Sequence, residues 1–240
     1  MSGPDHPPAR TPGDDRIRAP SAVGRAIETP RVAAIAGILF SVIFAVALVL
    51  LRTTVPASPD EAGEWLTDSS RRDAVLTALG LVPLAGIVFL WEVGVLRDHV
   101  GEAEDRFLQT VMIGSAVLFT GMMFVASAIA AGLIVAAADS ADGLVSSGLW
   151  EFVRQTVYQL MIEYGMRMAG VFTLITTMIL FRARLAPRWL LVFGFATAFV
   201  LMVVVSFLAW AELLFPAWML VLSLFVLVNN LRRRPAASPV

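Results

Sequence analysis

From Val32 to Leu51 the chain runs for twenty residues without a charge, bounded by Arg31 and Arg52. At 1.5 Å per residue this makes a helix ~30 Å long, the thickness of a bilayer's hydrocarbon. Val55-Pro56-Ala57 loosely resembles a signal cleavage site. However, the apolar region of a signal peptide is only ~7–15 residues, so the run is expected to remain as a membrane helix. Five further spans follow, at about Ala74–Leu96, Phe107–Ala137, Val157–Phe181, Trp189–Trp210 and Leu213–Asn230. The expected fold is therefore all-α, a six-transmembrane-helix bundle occupying residues 32–230. Composition agrees: 58% of residues are hydrophobic and 15% charged, with mean hydropathy +0.79. Soluble domains average ~45–50% and ~25%.

The flanks differ sharply. Residues 1–31 hold six of the thirteen prolines and five Arg. So little apolar surface predicts a disordered tail, and residues 231–240 form a short basic one. Within the spans, the third is long at 31 residues, or ~46 Å if wholly helical, so it must tilt or protrude. It pairs Ala126/Ala130, Ser127/Ala131 and Ala128/Gly132 at four-residue spacing. Such small-residue faces let helix backbones approach, within the chain, in a homo-oligomer or against a partner protein. Pro83, between Gly80 and Gly86, predicts a kink in the second span. Pro216 falls in the first turn of the last, where a missing N–H costs little. The two halves show no internal repeat of the kind that marks many transporters.

Arginine sets the expected topology. With the N-terminus inside, segments 1–31, 97–106, 182–188 and 231–240 carry 13 Arg, against four outside (Arg52, Arg71, Arg72, Arg154) and one within a span (Arg167). The positive-inside rule places both termini in the cytoplasm. Trp65, Trp150, Trp210 and Trp218 fall at or beyond the outer ends, and Trp91 and Trp189 near the inner ones, as interfacial anchors would.

Charged groups inside spans are functional candidates because they are costly there. Met168–Phe181 is only fourteen residues, ~21 Å, so the fourth helix must take in Glu163 and Arg167. These stand four apart with the acid N-terminal, the favourable order for a helical ion pair. Glu151, Gln155 and Gln159 continue the same step upstream, with Arg154 and Tyr158 alongside. The stripe turns ~40° per step and can line a wall near the outer leaflet. Read blandly, Arg167 snorkels toward the headgroups and Glu163 neutralises it.

Glu92 lies five residues before Arg97, ~7.5 Å inside the inner boundary. Its side chain leans deeper into the bilayer. It needs a donor on another helix or should be protonated. By depth, Gln109, Asn229, Asn230, Arg97, Arg182 and Arg184 are candidates. Glu92, Glu163, Arg167, Tyr158 and Gln159 are thus the expected intramembrane polar residues.

The soluble segments carry little chemistry. The acid-rich loop Arg97–Arg106 contains His99 but no known metal-ligand spacing. Loop 52–73 holds five acids, three Arg and Trp65. It predicts a short interfacial helix around Asp60–Leu66, with Ser58 as cap before Pro59. The Arg232-Arg233-Arg234 cluster suits contact with anionic lipid headgroups.

Several chemistries are excluded by residue type. Zero Cys removes thiolate metal sites and thiol nucleophiles. His6 and His99 both lie outside the spans, which rules out bis-His haem in the bundle and disfavours a Ser–His protease. No H-E-x-x-H or P-loop motif occurs, and no Asp lies in any span for a paired-aspartate protease. No cofactor is expected. A net charge of −1 gives no field for nucleic acid.

The segment Phe181-Arg182-Ala183-Arg184-Leu185-Ala186-Pro187-Arg188-Trp189-Leu190 resembles the helix–loop–helix joint of broad groups of bacterial multi-pass membrane proteins without assigned function. That resemblance implies a bacterial inner membrane. Two functions are expected to compete: a non-enzymatic accessory, scaffold or regulatory component, and a small transporter or channel with a polar path through Glu163, Arg167 and Glu92.

Overall fold

A computed structural model describes residues 22–54, 68–100 and 106–232. The predicted helix around Asp60–Leu66, His6, and the acidic part of the loop at 101–105 lie outside these residues. All the described elements are helical. They are α1 (Ala22–Thr54), α2 (Ser69–Val100), α3 (Arg106–Ser146), α4 (Leu149–Tyr158), α5 (Met166–Arg182), α6 (Arg188–Phe199) and α7 (Leu214–Arg232). Five helical stretches are long and apolar enough to cross a membrane: Val32–Thr53, Ser69–Arg97, Arg106–Ala137, Leu149–Arg182 and Ala211–Asn229. A sixth, Arg188–Val204, is shorter.

Several boundaries differ from those expected. Helix α1 begins at Ala22, ten residues before the expected start of the first span. Once the apolar span is nucleated, extending it through Ala22, Arg25, Ala26 and Glu28 is far easier than starting a new helix. The long third helix continues to Ser146 and stops where Gly148 turns the chain at φ 73°, a conformation glycine adopts without steric cost. The fourth span starts at Leu149, not Val157, because α4, a π-helical turn at Gln159–Gly165 and α5 run on without a break. The fifth ends early, at Val204 rather than Trp210. Its last turn, Val200–Val204, is π-helical, and Phe207 N–H then closes a turn on Val204 O at 2.9 Å.

Local chemistry explains the joints. Asp68 caps α2, its Oδ1 accepting from the N–H groups of Ser70 (3.0 Å) and Arg71 (3.3 Å). The Phe181–Leu190 joint ends α5 with Arg184 at φ 53°, and Leu185 N–H reaches back to Leu180 O at 3.1 Å. That is a Schellman-type stop, and Pro187 then opens α6 in extended conformation. Pro83 sits inside the unbroken α2, and Pro216 sits in the first turn of α7 as its missing donor requires.

Helix α1 packs on α2 and α7, α3 on α2 and α5, and α6 on α5. Their meeting point is aromatic. Phe40 and Phe44 of α1, Phe89 of α2, Phe119 of α3, Phe172 of α5 and Phe215 and Trp218 of α7 are all buried. Neighbouring rings stand 4.8–6.5 Å apart, mostly edge to face, the arrangement that the ring quadrupoles favour. Trp218 is therefore a core residue, 1% exposed, and not the interfacial anchor its position near a span end suggested. Gly194 of α6 makes room for it: a methyl there would stand 2.9 Å from Trp218 Nε1. The outer surface is apolar as well, with Ile35, Leu39, Ile87, Val117, Val192 and Phe199 exposed. A chain greasy both inside and out is built for a lipid solvent.

Candidate functional site

The expected polar residues separate into two places. Glu163 and Arg167 do form an ion pair, with Arg167 Nη1 on Glu163 Oε2. The same guanidinium also donates to Glu163 O at 2.6 Å and, through Nε, to Met202 O at 3.3 Å. Glu163 lies in the first π turn and Met202 in the second. Arg167 thus donates to one carbonyl in each π turn and ties the fourth span to the fifth. Neither π turn is legible from the apolar pattern.

Glu92 lies near the other end of the bundle, where α1, α2 and α7 meet. It is 6% exposed. Its donor is Ser223, whose Oγ stands 3.4 Å from Oε1, while Oε2 has no hydrogen-bond partner among the described residues. Ser223 of α7 takes the part expected of Gln109, Asn229, Asn230 or an arginine. Gly37 of α1 makes the junction possible, since a methyl there would overlap both Ser223 Oγ and the Glu92 carboxylate.

A further ion pair was not legible in the sequence. Arg52, the charge that ends the first apolar run, donates from Nη1 to Glu212 Oε1 at 2.8 Å. Glu212 is 5% exposed at its side chain and Arg52 37%. Trp210, held at φ 68°, lays its ring 5.2 Å beneath the guanidinium, within cation–π range. The one available signal was Glu212 itself, an acid in the short link between two spans.

This pair borders a cavity of about 370 Å³. Its wall takes Leu48 and Leu51 from α1, Val75 and Leu79 from α2, and Ala130, Leu133 and Ile134 from α3. The remaining side is one face of α4 and the π turn, Trp150, Val153, Arg154, Val157, Tyr158, Met161 and Ile162. Leu79, Leu133, Ile134, Trp150 and Met161 are buried and form the floor, while Arg52, Arg154 and Tyr158 are partly exposed at the mouth. Arg154 is held by Glu151 through Nε (3.1 Å) and Nη2 (2.8 Å). Tyr158 thus belongs to this cavity. Gln159 is half-buried at the start of the π turn.

Of the small-residue pairs on α3, Ala126 and Ser127 face inward, whereas Ala128 and Gly132 are exposed. Among the described residues no cluster of three or more His, Asp or Glu side chains suits a metal ion. Comparisons with protein-family models, with curated proteins and with solved structures find no match to this chain.

Proposed function

We propose that the chain is a non-enzymatic accessory, scaffold or regulatory component of a bacterial inner membrane, crossing it six times with both termini in the cytoplasm. Arg188–Val204, the shorter apolar helix, is the remaining crossing. The observation that carries this reading is the aromatic centre. Seven rings from five helices fill the centre of the bundle with apolar surface. Supporting it, Arg167 is taken up in holding two π turns together. Exposed Ala128 and Gly132 leave a close-packing face for a partner helix or a second copy.

A small transporter or channel is the second reading. It is favoured by buried polar atoms without partners among the described residues: Glu92 Oε2 and the hydroxyls of Thr176, Thr177 and Thr197. Ion and solute flux into proteoliposomes separates the two. Wild-type protein is expected to give no flux above protein-free vesicles. Flux abolished by Glu92→Gln or Arg167→Gln would establish transport instead. Because the chain has no Cys, single cysteines at Ser147 and Ser238 test the topology with a membrane-impermeant maleimide. Labelling of the first from outside and of the second only after lysis is expected.

A further inference from the structure

We propose that the cavity beside Arg52 binds a single-chain amphiphile with an anionic head, a carboxylate or a phosphate, its chain on the apolar floor and its head between Arg52 and Arg154. This goes beyond the accessory role above and holds whether or not the protein transports anything.

The cavity's α4 wall runs from Trp150 to Ile162, twelve residues or ~18 Å of helix. Residues 150, 153, 154, 157, 158, 161 and 162 repeat at three and four, so one face of the helix lines an elongated slot. Its volume of about 370 Å³ falls in the ~300–1,000 Å³ range of small-molecule sites. The floor is apolar, which suits hydrocarbon.

The charged side chains lining the cavity are Arg52, Arg154 and Glu212; with Glu151, which pairs with Arg154, two arginines balance two acids and the site has no net charge. Each guanidinium carries five N–H donors. Glu212 engages only Nη1 of Arg52, and Glu151 only Nε and Nη2 of Arg154. Both arginines therefore have donors left to turn toward a head group, the geometry in which Arg recognises carboxylate and phosphate. Their pairing with acids orients them without using them up. An uncharged chain would meet the same floor but gain no charged hydrogen bond from these donors.

Trp150 on the floor provides the readout. Full-length protein is placed in nanodiscs of neutral phosphatidylcholine and titrated with dibrominated stearate, whose bromines quench tryptophan on contact. A saturable component of quenching is expected, over a linear background from acid dissolved in the bilayer. That component disappears in Trp150→Phe. Arg154→Gln, which removes an exposed pair and leaves folding intact, weakens it about tenfold, the loss expected of one charged hydrogen bond. The double variant Arg52→Gln/Glu212→Gln, which leaves no buried charge behind, weakens it similarly. The methyl ester of the same acid gives background alone, and acetate or inorganic phosphate at millimolar concentration does not compete. The proposal is overturned by the absence of a saturable component, by equal saturation with the ester, by indifference to both arginine changes, or by competition from the free anions.

Discussion

Arg52 Nη1 stands 2.8 Å from Glu212 Oε1, a bond between residues 160 apart in sequence that clamps the end of the first apolar run to the link before the last. The acid is nearly fully buried, while the arginine keeps a third of its surface and a tryptophan ring beneath it. Removing the arginine would strand a buried carboxylate. Arg52→Gln is expected to cost about 3 kcal/mol, the low end for breaking a buried pair because Arg52 is partly exposed. Glu212→Gln added to it should recover much of that loss. Thermal unfolding in detergent, read as a double-mutant cycle, measures both.

Arg167→Gln should destabilise by about 2–3 kcal/mol, since a charged donor is withdrawn from carbonyls in two π turns. Arg167→Lys should rescue only part of this. An ammonium is a point charge and cannot replace a guanidinium whose Nε and Nη1 reach two different helices. Comparing the melting temperatures of the three proteins decides the point.

Glu92 accepts from a neutral serine and is buried. Glu92→Gln preserves its shape and acceptor and is expected to leave the amount of folded membrane protein nearly unchanged. A severe loss would mean that the group is held as a charge. Gly37→Ala should be worse than Glu92→Gln, because its methyl occupies the space of the Glu92 carboxylate and Ser223 Oγ. Overpacking of this kind costs about 1–3 kcal/mol. Fluorescence-detected gel filtration of both variants gives the ranking.

Phe89 touches Phe40, Phe119, Phe172 and Phe215. Truncation to alanine should cost about 3–5 kcal/mol, as for other buried aromatic side chains. Thermal unfolding of the two proteins in detergent checks this.

How far each feature could be read from the residues follows from its range. The i,i+4 pair of Glu163 and Arg167 was legible because a helix places such residues together whatever surrounds it. The burial of Glu92 was legible from its depth, but its partner was not. Ser223 carries no charge and lies 131 residues away. Trp218 misled, since its place near a span end fits an interfacial anchor as well as a core ring. Only the packing of α5 and α7 and the gap left by Gly194 distinguish the two. Arg52 read as a boundary mark, and nothing near it in the chain showed that it had an acid to hold.

Hydropathy runs along the chain and each helix satisfies its own backbone. The residues alone therefore determined the helical class and five helical stretches long and apolar enough to cross a membrane. Which faces turn inward is a matter of contact between distant segments. Only the assembled helices decided that phenylalanines fill the centre, that Arg167 serves two π turns, and that Arg52 meets Glu212 at the mouth of a cavity.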